Sequence, residues 1–187
     1  MGNCMSYYPV RTYPYRLFIA KSPTGQDEVF FDLFNAEASG VDLRIISVRP
    51  IVSGAVAVTG LLGIDLFLTF TSAIGTMGTA ATRTGTSLTA STFGATNPKP
   101  GELDGNITAR RLPTGGATTA AFITMSQVFT EETDPATYLD KDLLTGNFPE
   151  ELIVPADTGI QVKQGVVASV GNIAFMIHFA VTPRQAP

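Results

Sequence analysis

Apolar and polar positions along this chain alternate with a period of two far more often than they recur at helical spacing. In LLGIDLFLTF (61–70), Leu62, Ile64, Leu66, Leu68 and Phe70 fall on one face, and Gly63, Asp65, Phe67 and Thr69 fall on the other. In NIAFMIHFAV (172–181), Ile173, Phe175, Ile177, Phe179 and Val181 oppose Asn172, Ala174, Met176, His178 and Ala180. Period-two patterns bounded by turn residues are the mark of strands with one buried face. In VDLRIISVRPIV (41–52), Val41, Leu43 and Ile45 face one way, and Ile46, Val48 and Pro50 continue in shifted phase. A β-bulge at Ile45-Ile46 accounts for such a switch, because one extra residue re-aims a strand. EVFFDLFNAEASG offers Val29, Phe31 and Leu33, stopped by Asn35 and Ser39-Gly40. AAFITMSQVF, IQVKQGVVAS and, after the Asp104-Gly105 turn signal, NITARRL supply further strands.

Helical signal is confined to DPATYLDKDLL (134–144), where Pro135 suits a first turn and Tyr138, Leu139 and Leu143 are helically spaced. Residues 71–101 are rich in Thr, Ser, Gly and Ala with weak periodicity, and read as an excursion containing short strands. About eight short strands without a βαβ rhythm predict an all-β protein: an antiparallel β-sandwich, jelly-roll-like, with at most one short helix. The predicted organisation is an extended N-terminal arm over 1–26 and a single sandwich domain over 27–187 carrying the excursion. A chain of 187 residues can bury roughly 70% of its unfolded surface, so it needs no metal or disulfide staple.

Composition adds a second constraint. Charged residues make up 15% of the chain, against about 25% in ordinary domains, which suits a surface covered by partners. The net charge of −4 is uneven: residues 1–26 hold Arg11, Arg16 and Lys21 and no acid, leaving −7 on the rest. Between Glu131 and Asp157 lie eight acids against Lys141 alone. A basic arm on an acidic body suits one copy's arm lying on its neighbour, and equally a flexible basic tail beside an acidic solvated loop. The body has no basic face for phosphate, so nucleic acid is not an expected partner. Met1–Arg16 lacks the apolar core of a secretory leader. The apolar run from Val166 to Val181 is too short and interrupted to span a membrane as a helix.

Candidate chemistry is sparse. His178 is the only histidine and Cys4 the only cysteine, so neither a histidine cluster for metal nor a second thiol exists. No G-x-S-x-G elbow or P-loop occurs. The acids Glu131, Glu132, Asp134, Asp140 and Asp142 share one polar segment without sugar-binding aromatics, and read as a solvated loop before a glycosidase pair or a weak calcium site. Asn106-Ile107-Thr108 fits a glycosylation sequon, read as chance. The reading is therefore not an enzyme: no catalytic residue, cofactor, metal or small-molecule substrate is expected.

MGNCMSYYPVRTYPYR, the first sixteen residues, allows two readings. Met1–Ser6 fits the N-myristoylation pattern, with Cys4 placed for a second acyl chain. Stable anchoring needs supporting signals, and no lysine cluster reinforces the site, so a membrane is not the expected partner. The alternative is a protein-gripping arm. Tyr7, Tyr8, Tyr13 and Tyr15 are rigid anchors, Arg11 and Arg16 can pair with carboxylates, and Pro9 and Pro14 favour an extended path.

FFDLFNAEASGVDLRIISVRPIVSG (30–54) and IVPADTGIQVKQGVVASVGNIAFMIHFAV (153–181) together resemble β-sandwich virion proteins of tailed bacteriophages. The resemblance lies in an apolar strand ended by Asn35, then Ser39-Gly40, then an alternating strand with Arg44 and Arg49. Near the end, Pro155 and Asp157-Thr158-Gly159 precede a final apolar strand. It implies a structural role on a particle: a capsid decoration (cement) protein on the capsid surface, made in the host cytoplasm. Its implied partners are the major capsid protein and other copies of itself, often as a homotrimer. A tail or fibre component or a glycan-binding sandwich are the alternatives.

Overall fold

The computed structural model describes residues 13–25, 27–53, 62–76, 78–80, 82–83, 106–114, 118–130, 142–144, 152–165 and 172–183. Their strands are β1 (Tyr13–Pro23), β2 (Val29–Asn35), β3 (Val41–Ser53), β4 (Leu62–Thr71), β5 (Thr79–Ala80), β6 (Thr82–Arg83), β7 (Ile107–Arg111), β8 (Thr118–Thr130), β9 (Leu152–Val154), β10 (Thr158–Gln164) and β11 (Asn172–Pro183). Among the described residues the only helical turn is a 3-10 turn over Glu37–Ser39, closed by Gly40 in the left-handed region at φ 63°. The DPATYLDKDLL helix expectation lies largely outside the described residues. Of its last three positions, Asp142 is irregular and Leu143 and Leu144 form a bend.

The strands form two antiparallel sheets, the sandwich that the alternation predicts. Sheet A runs β6-β1-β11-β3-β9 and sheet B runs β5-β7-β2-β10-β4-β8. The chain alternates between sheets from β1 to β4 and again from β8 to β11, so each sheet interleaves the two ends of the sequence. Almost every ladder therefore joins residues far apart in the chain. Such non-local topologies have to close long loops before their contacts form, and they fold slowly.

Alternation decides what lies between the sheets. Leu17, Ile19, Leu43, Ile45, Ile177 and Phe179 from sheet A meet Leu33, Leu66, Leu68, Ile160 and Val162 from sheet B, all completely buried. Phe175 on β11 lies 5.5 Å from Phe30 and 5.2 Å, edge-on, from Phe31. Two consecutive residues reach one ring because the β2–β10 ladder skips Phe30, pairing Phe31 with Val162 and Val29 with Lys163. That bulge is invisible in the run FFDLF. At one end Asn35 Nδ2 donates to Val41 O (2.9 Å) and Val154 O (3.3 Å), tying β2 of one sheet to β3 and β9 of the other.

Two expectations need correction. The first twenty-six residues are not all arm: Tyr13–Pro23 is a strand of sheet A, paired with β11 from Tyr13↔Val181 to Pro23↔Asn172. Tyr15, Leu17 and Ile19 point inward while Arg16 and Ala20 are exposed, a period-two pattern hidden by the Tyr, Pro and Arg content. The phase switch in β3 does occur at Ile45-Ile46, where the ladder shifts between His178↔Ser47 and Phe179↔Ile45. Ile46, however, is the extra residue and stands 46% exposed, rather than joining Val48 and Pro50 inside. The described part of the excursion does contain short strands, β5 and β6, although Thr71 still belongs to β4.

Candidate functional site: one covered face and one open face

Each sheet has an outer face, and the two differ. On sheet B, ladder registers line up Arg110, Asp32, Gln161 and Thr69 in one row across β7, β2, β10 and β4. A row of polar residues suits a solvated surface, yet Asp32 and Gln161 are buried, and so are Thr71 and Phe34 beside them. The chain covers its own face. Gly75 N donates to Asp32 Oδ2 at 2.5 Å, and Thr76 and Thr114 exchange backbone hydrogen bonds of 2.8 Å each. Only glycine fits at 75: a Cβ there would lie 2.7 Å from Pro113 Cβ and 2.9 Å from Asp32 Oδ2. Gly159 is equally constrained, with a Cβ meeting Thr71 Oγ1 at 2.5 Å and Leu33 O at 2.7 Å.

Covering this face has an electrostatic cost. Burial pushes the Asp32 carboxyl up to about 6, against the opposing pull of the Gly75 N–H and the Arg110 guanidinium. Asp32 Oδ1 and the hydroxyls of Thr69, Thr71 and Thr108 are buried without a hydrogen-bond partner among the described residues. Such orphaned groups destabilise a fold unless water reaches them.

Sheet A presents the contrast. Its outer face carries Arg16, Phe18 and Ala20 from β1, Ala174, Met176, His178 and Ala180 from β11, Arg44, Ile46, Ser47 and Arg49 from β3, and Ile153 from β9. Arg16, Ala20 and Arg49 are exposed, and Phe18, Met176 and His178 are half-buried. Ile46 and Ile153, at 46% and 55%, are the exposed large hydrophobics among the described residues. Ile153 faces Arg44 across the β3–β9 ladder, and Ile46 lies two positions along β3. The two isoleucines are thus diagonal neighbours on one surface.

The β3 edge beyond β9 is finished by the segment Asp142–Leu144. Val48 N and Leu144 N donate to Asp142 Oδ1 (3.1 and 3.0 Å), and Leu143 N donates to Val48 O (2.9 Å). Leu143 and Leu144 are buried in the core. Edge groups that would otherwise invite another strand are satisfied here by one carboxylate and one amide. The Arg49 Nε–Asp142 Oδ2 approach is 3.8 Å and half-exposed, so it adds little stability.

His178 sits at the middle of the open face, opposite Arg16 on one side and Ser47 on the other. Its pKa is lowered by burial first, then by Arg16 and Arg49, with Asp142 pulling the other way. Ser47, His178 and Asp142 do not form a catalytic relay. Ser47 Oγ has no hydrogen-bond partner among the described residues, and Asp142 Oδ1 accepts from two backbone amides. A nucleophile needs a base within hydrogen-bond reach.

The predicted arm residues separate into three groups. Tyr15 is a core residue, 6% exposed and stacked on Phe179 at 5.4 Å, so it cannot anchor a neighbour. Arg16 is exposed on the open face, and Tyr13 starts β1 opposite Val181. Tyr7, Tyr8 and Arg11 lie outside the described residues, as do Met1–Ser6 and most of the acidic segment. Ile46 and Ile153 carried no sequence signal of exposure, since isoleucine in a strand reads as core. Among the described residues no helix is long and apolar enough to cross a membrane, and no three His, Cys, Asp or Glu side chains are grouped to hold a metal. Compared with known proteins, the chain matches no family model, no curated protein and no solved structure.

Proposed function

We propose that the chain is a non-enzymatic structural protein of a virus particle, a capsid decoration protein that binds the shell and neighbouring copies of itself. The observation that carries this reading is the asymmetry of the sandwich. One outer face is covered by the chain's own segments at the expense of a buried carboxylate, while the other leaves Ile46 and Ile153 in water among arginines. Exposed aliphatic surface rimmed by polar groups is the signature of a protein–protein contact. The strand order supports the same reading. With β6, β5 and β7 set aside at the sheet ends, β1-β11-β3-β9 against β2-β10-β4-β8 supports a jelly-roll reading of the sandwich, an architecture used by viral capsid proteins, lectins and cupins. Fold alone does not assign function, so the weight rests on the open face and on the resemblance of 30–54 and 153–181 to phage virion sandwiches.

Copurification with particles tests the proposal. A decoration protein is expected at hundreds of copies per particle, and a tail or fibre component at a handful. Complete absence from purified particles, with the protein present in the infected lysate, would refute a virion role. A glycan array separates the lectin alternative, which requires specific hits that a decoration protein does not give.

A further inference from the structure

The open face gathers cations beside its isoleucines. Register places Arg16, His178 and Ser47 in one row across β1, β11 and β3, with Arg49 two positions beyond Ser47 and opposite Met176. Side chains directly opposite on neighbouring strands stand about 5 Å apart, so the imidazole has an arginine on either flank. Among the described residues the charged groups that face His178 are Arg16 from β1, Arg49 from β3 and Asp142 from the segment that finishes the β3 edge. Arg44 adds a further cation, opposite Ala180 on one side and Ile153 on the other.

The acids of this face are turned inward. The Asp142 side chain is 11% exposed, and its Oδ1 accepts from the amides of Val48 and Leu144. Asp42, two positions before Arg44 on β3, has its Oδ1 buried. Asp157 is exposed, but it belongs to the turn that carries the chain from β9 into sheet B. What the described face shows to solvent is therefore basic and aliphatic. Arg16 is exposed and has no ion pair among the described residues, Arg49 is exposed, and Ile46 and Ile153 stand beside them.

We infer that the open face of sheet A receives an acidic segment of a partner protein, with an aliphatic side chain over Ile46 and Ile153 and carboxylates on Arg49, His178 and Arg16. Carboxylates suit this face better than nucleic-acid phosphates, because the isoleucines offer a phosphate backbone nothing and the chain as a whole carries −4. The sheet also sets the spacing. From β9 to β1 is three ladder spacings, about 14 Å, which an extended segment crosses in about four residues. Side chains at i, i+2 and i+4 share one face of such a segment. An aliphatic residue at i on β9 then puts an acid at i+2 near Arg49 and His178, and another at i+4 on Arg16. Binding takes up a proton, since a carboxylate against His178 favours the imidazolium, and affinity rises as pH falls. The inference rests on the shell-binding half of the proposed function and names the chemistry of the shell's side.

NMR titration of the full chain with the capped peptide Leu-Ser-Glu-Ser-Glu tests it. The peptide is expected to shift the Ile46 and Ile153 methyls and the His178 imidazole, and to bind several-fold more tightly at about pH 5.5 than at about pH 7.5. Replacing both glutamates by glutamine is expected to weaken binding about threefold or more. Arg16→Glu and Ile153→Asp change exposed side chains, so both proteins are expected to keep the wild-type circular dichroism and melting temperature while losing the shifts. His178→Gln is expected to bind without the pH dependence. Absence of shifts at these three residues with millimolar peptide overturns the inference, as do equal shifts from the glutamine peptide or from one with lysine in place of glutamate. A DNA oligonucleotide that displaces the peptide gives the face to phosphate and also overturns it. So does self-association through the same residues without peptide, which gives the face to a second copy. Particle binding that Arg16→Glu and Ile153→Asp leave unchanged sinks this inference alone, and peptide binding by a chain absent from particles sinks the virion reading alone.

Discussion

The outer faces of the two sheets are made from similar strands yet have opposite fates. On sheet B the chain folds its own Gly75 and Pro113 segments over Asp32, which is buried together with Gln161 and Thr71, and holds the cover by the Gly75 N–H. On sheet A the alternation leaves Ala174 and Ala180 low in the middle, arginines around them, and two isoleucines in water. Each sheet has more than one register shift, and the shifts at Phe30 and Ile46 repeat the lesson. Phe30 is an extra residue spent on the core, where it packs on Phe175. Ile46 is an extra residue spent on the surface, where nothing in the described chain needs it.

The largest test sets the two bulges against each other. Phe30→Ala is expected to cost about 3–5 kcal/mol, the usual loss for emptying a buried aromatic site. Ile46→Ala should stay within about 0.5 kcal/mol of wild type, as exposed substitutions do. Denaturant midpoints of the two variants measure both. Equal losses would mean that Ile46 is packed and that the open face is not open.

Next comes the same change on both faces. Thr71→Lys buries an ammonium under the cover of sheet B and is expected to destabilise by roughly 3 kcal/mol or more. Ile153→Lys, on sheet A, should leave thermal stability of the isolated chain nearly unchanged. The comparison fails if the two melting temperatures drop together.

Acid distinguishes the faces by sign. Asp32 titrates near 6 when folded and near 3.8 when unfolded, so the folded state binds its proton more tightly. Its stabilising contribution is full below about 3.8 and is lost as pH rises through about 6, an effect on the order of 2–3 kcal/mol. Asp32→Asn should flatten that part of the stability profile. His178 runs the other way, and more weakly. Its lowered pKa means that stability is present above 6.5 and is lost as pH falls through the folded value, and His178→Gln should remove the slope. Unfolding curves of the three proteins across this range check both signs.

Sequence made the strands legible because their alternation is local. The inward residues of β11 are correctly identified, as are Leu66 and Leu68 of β4, and the β3 bulge shows itself as two adjacent β-branched residues that break the phase. The bulge at Phe30 left no trace, since FFDLF is apolar enough for either phase. β1 was masked differently. Tyr15, Leu17 and Ile19 alternate, but Tyr, Pro and Arg nearby describe an interface arm equally well, and only the distant β11 decides between them. Which face would be covered was not legible at all. The row Arg110, Asp32, Gln161 and Thr69 reads as a polar, wet surface until the Gly75 segment is found on top of it.

Side-chain oxidative footprinting of the free and the assembled protein tests the central claim most directly. In the free chain Ile46 and Ile153 are expected to label and Phe34 to be protected. On assembly, the two isoleucines should become protected while Phe34 does not change. Labelling of Ile46 and Ile153 that is the same in both states, or strong labelling of Phe34 in the free chain, would contradict the account.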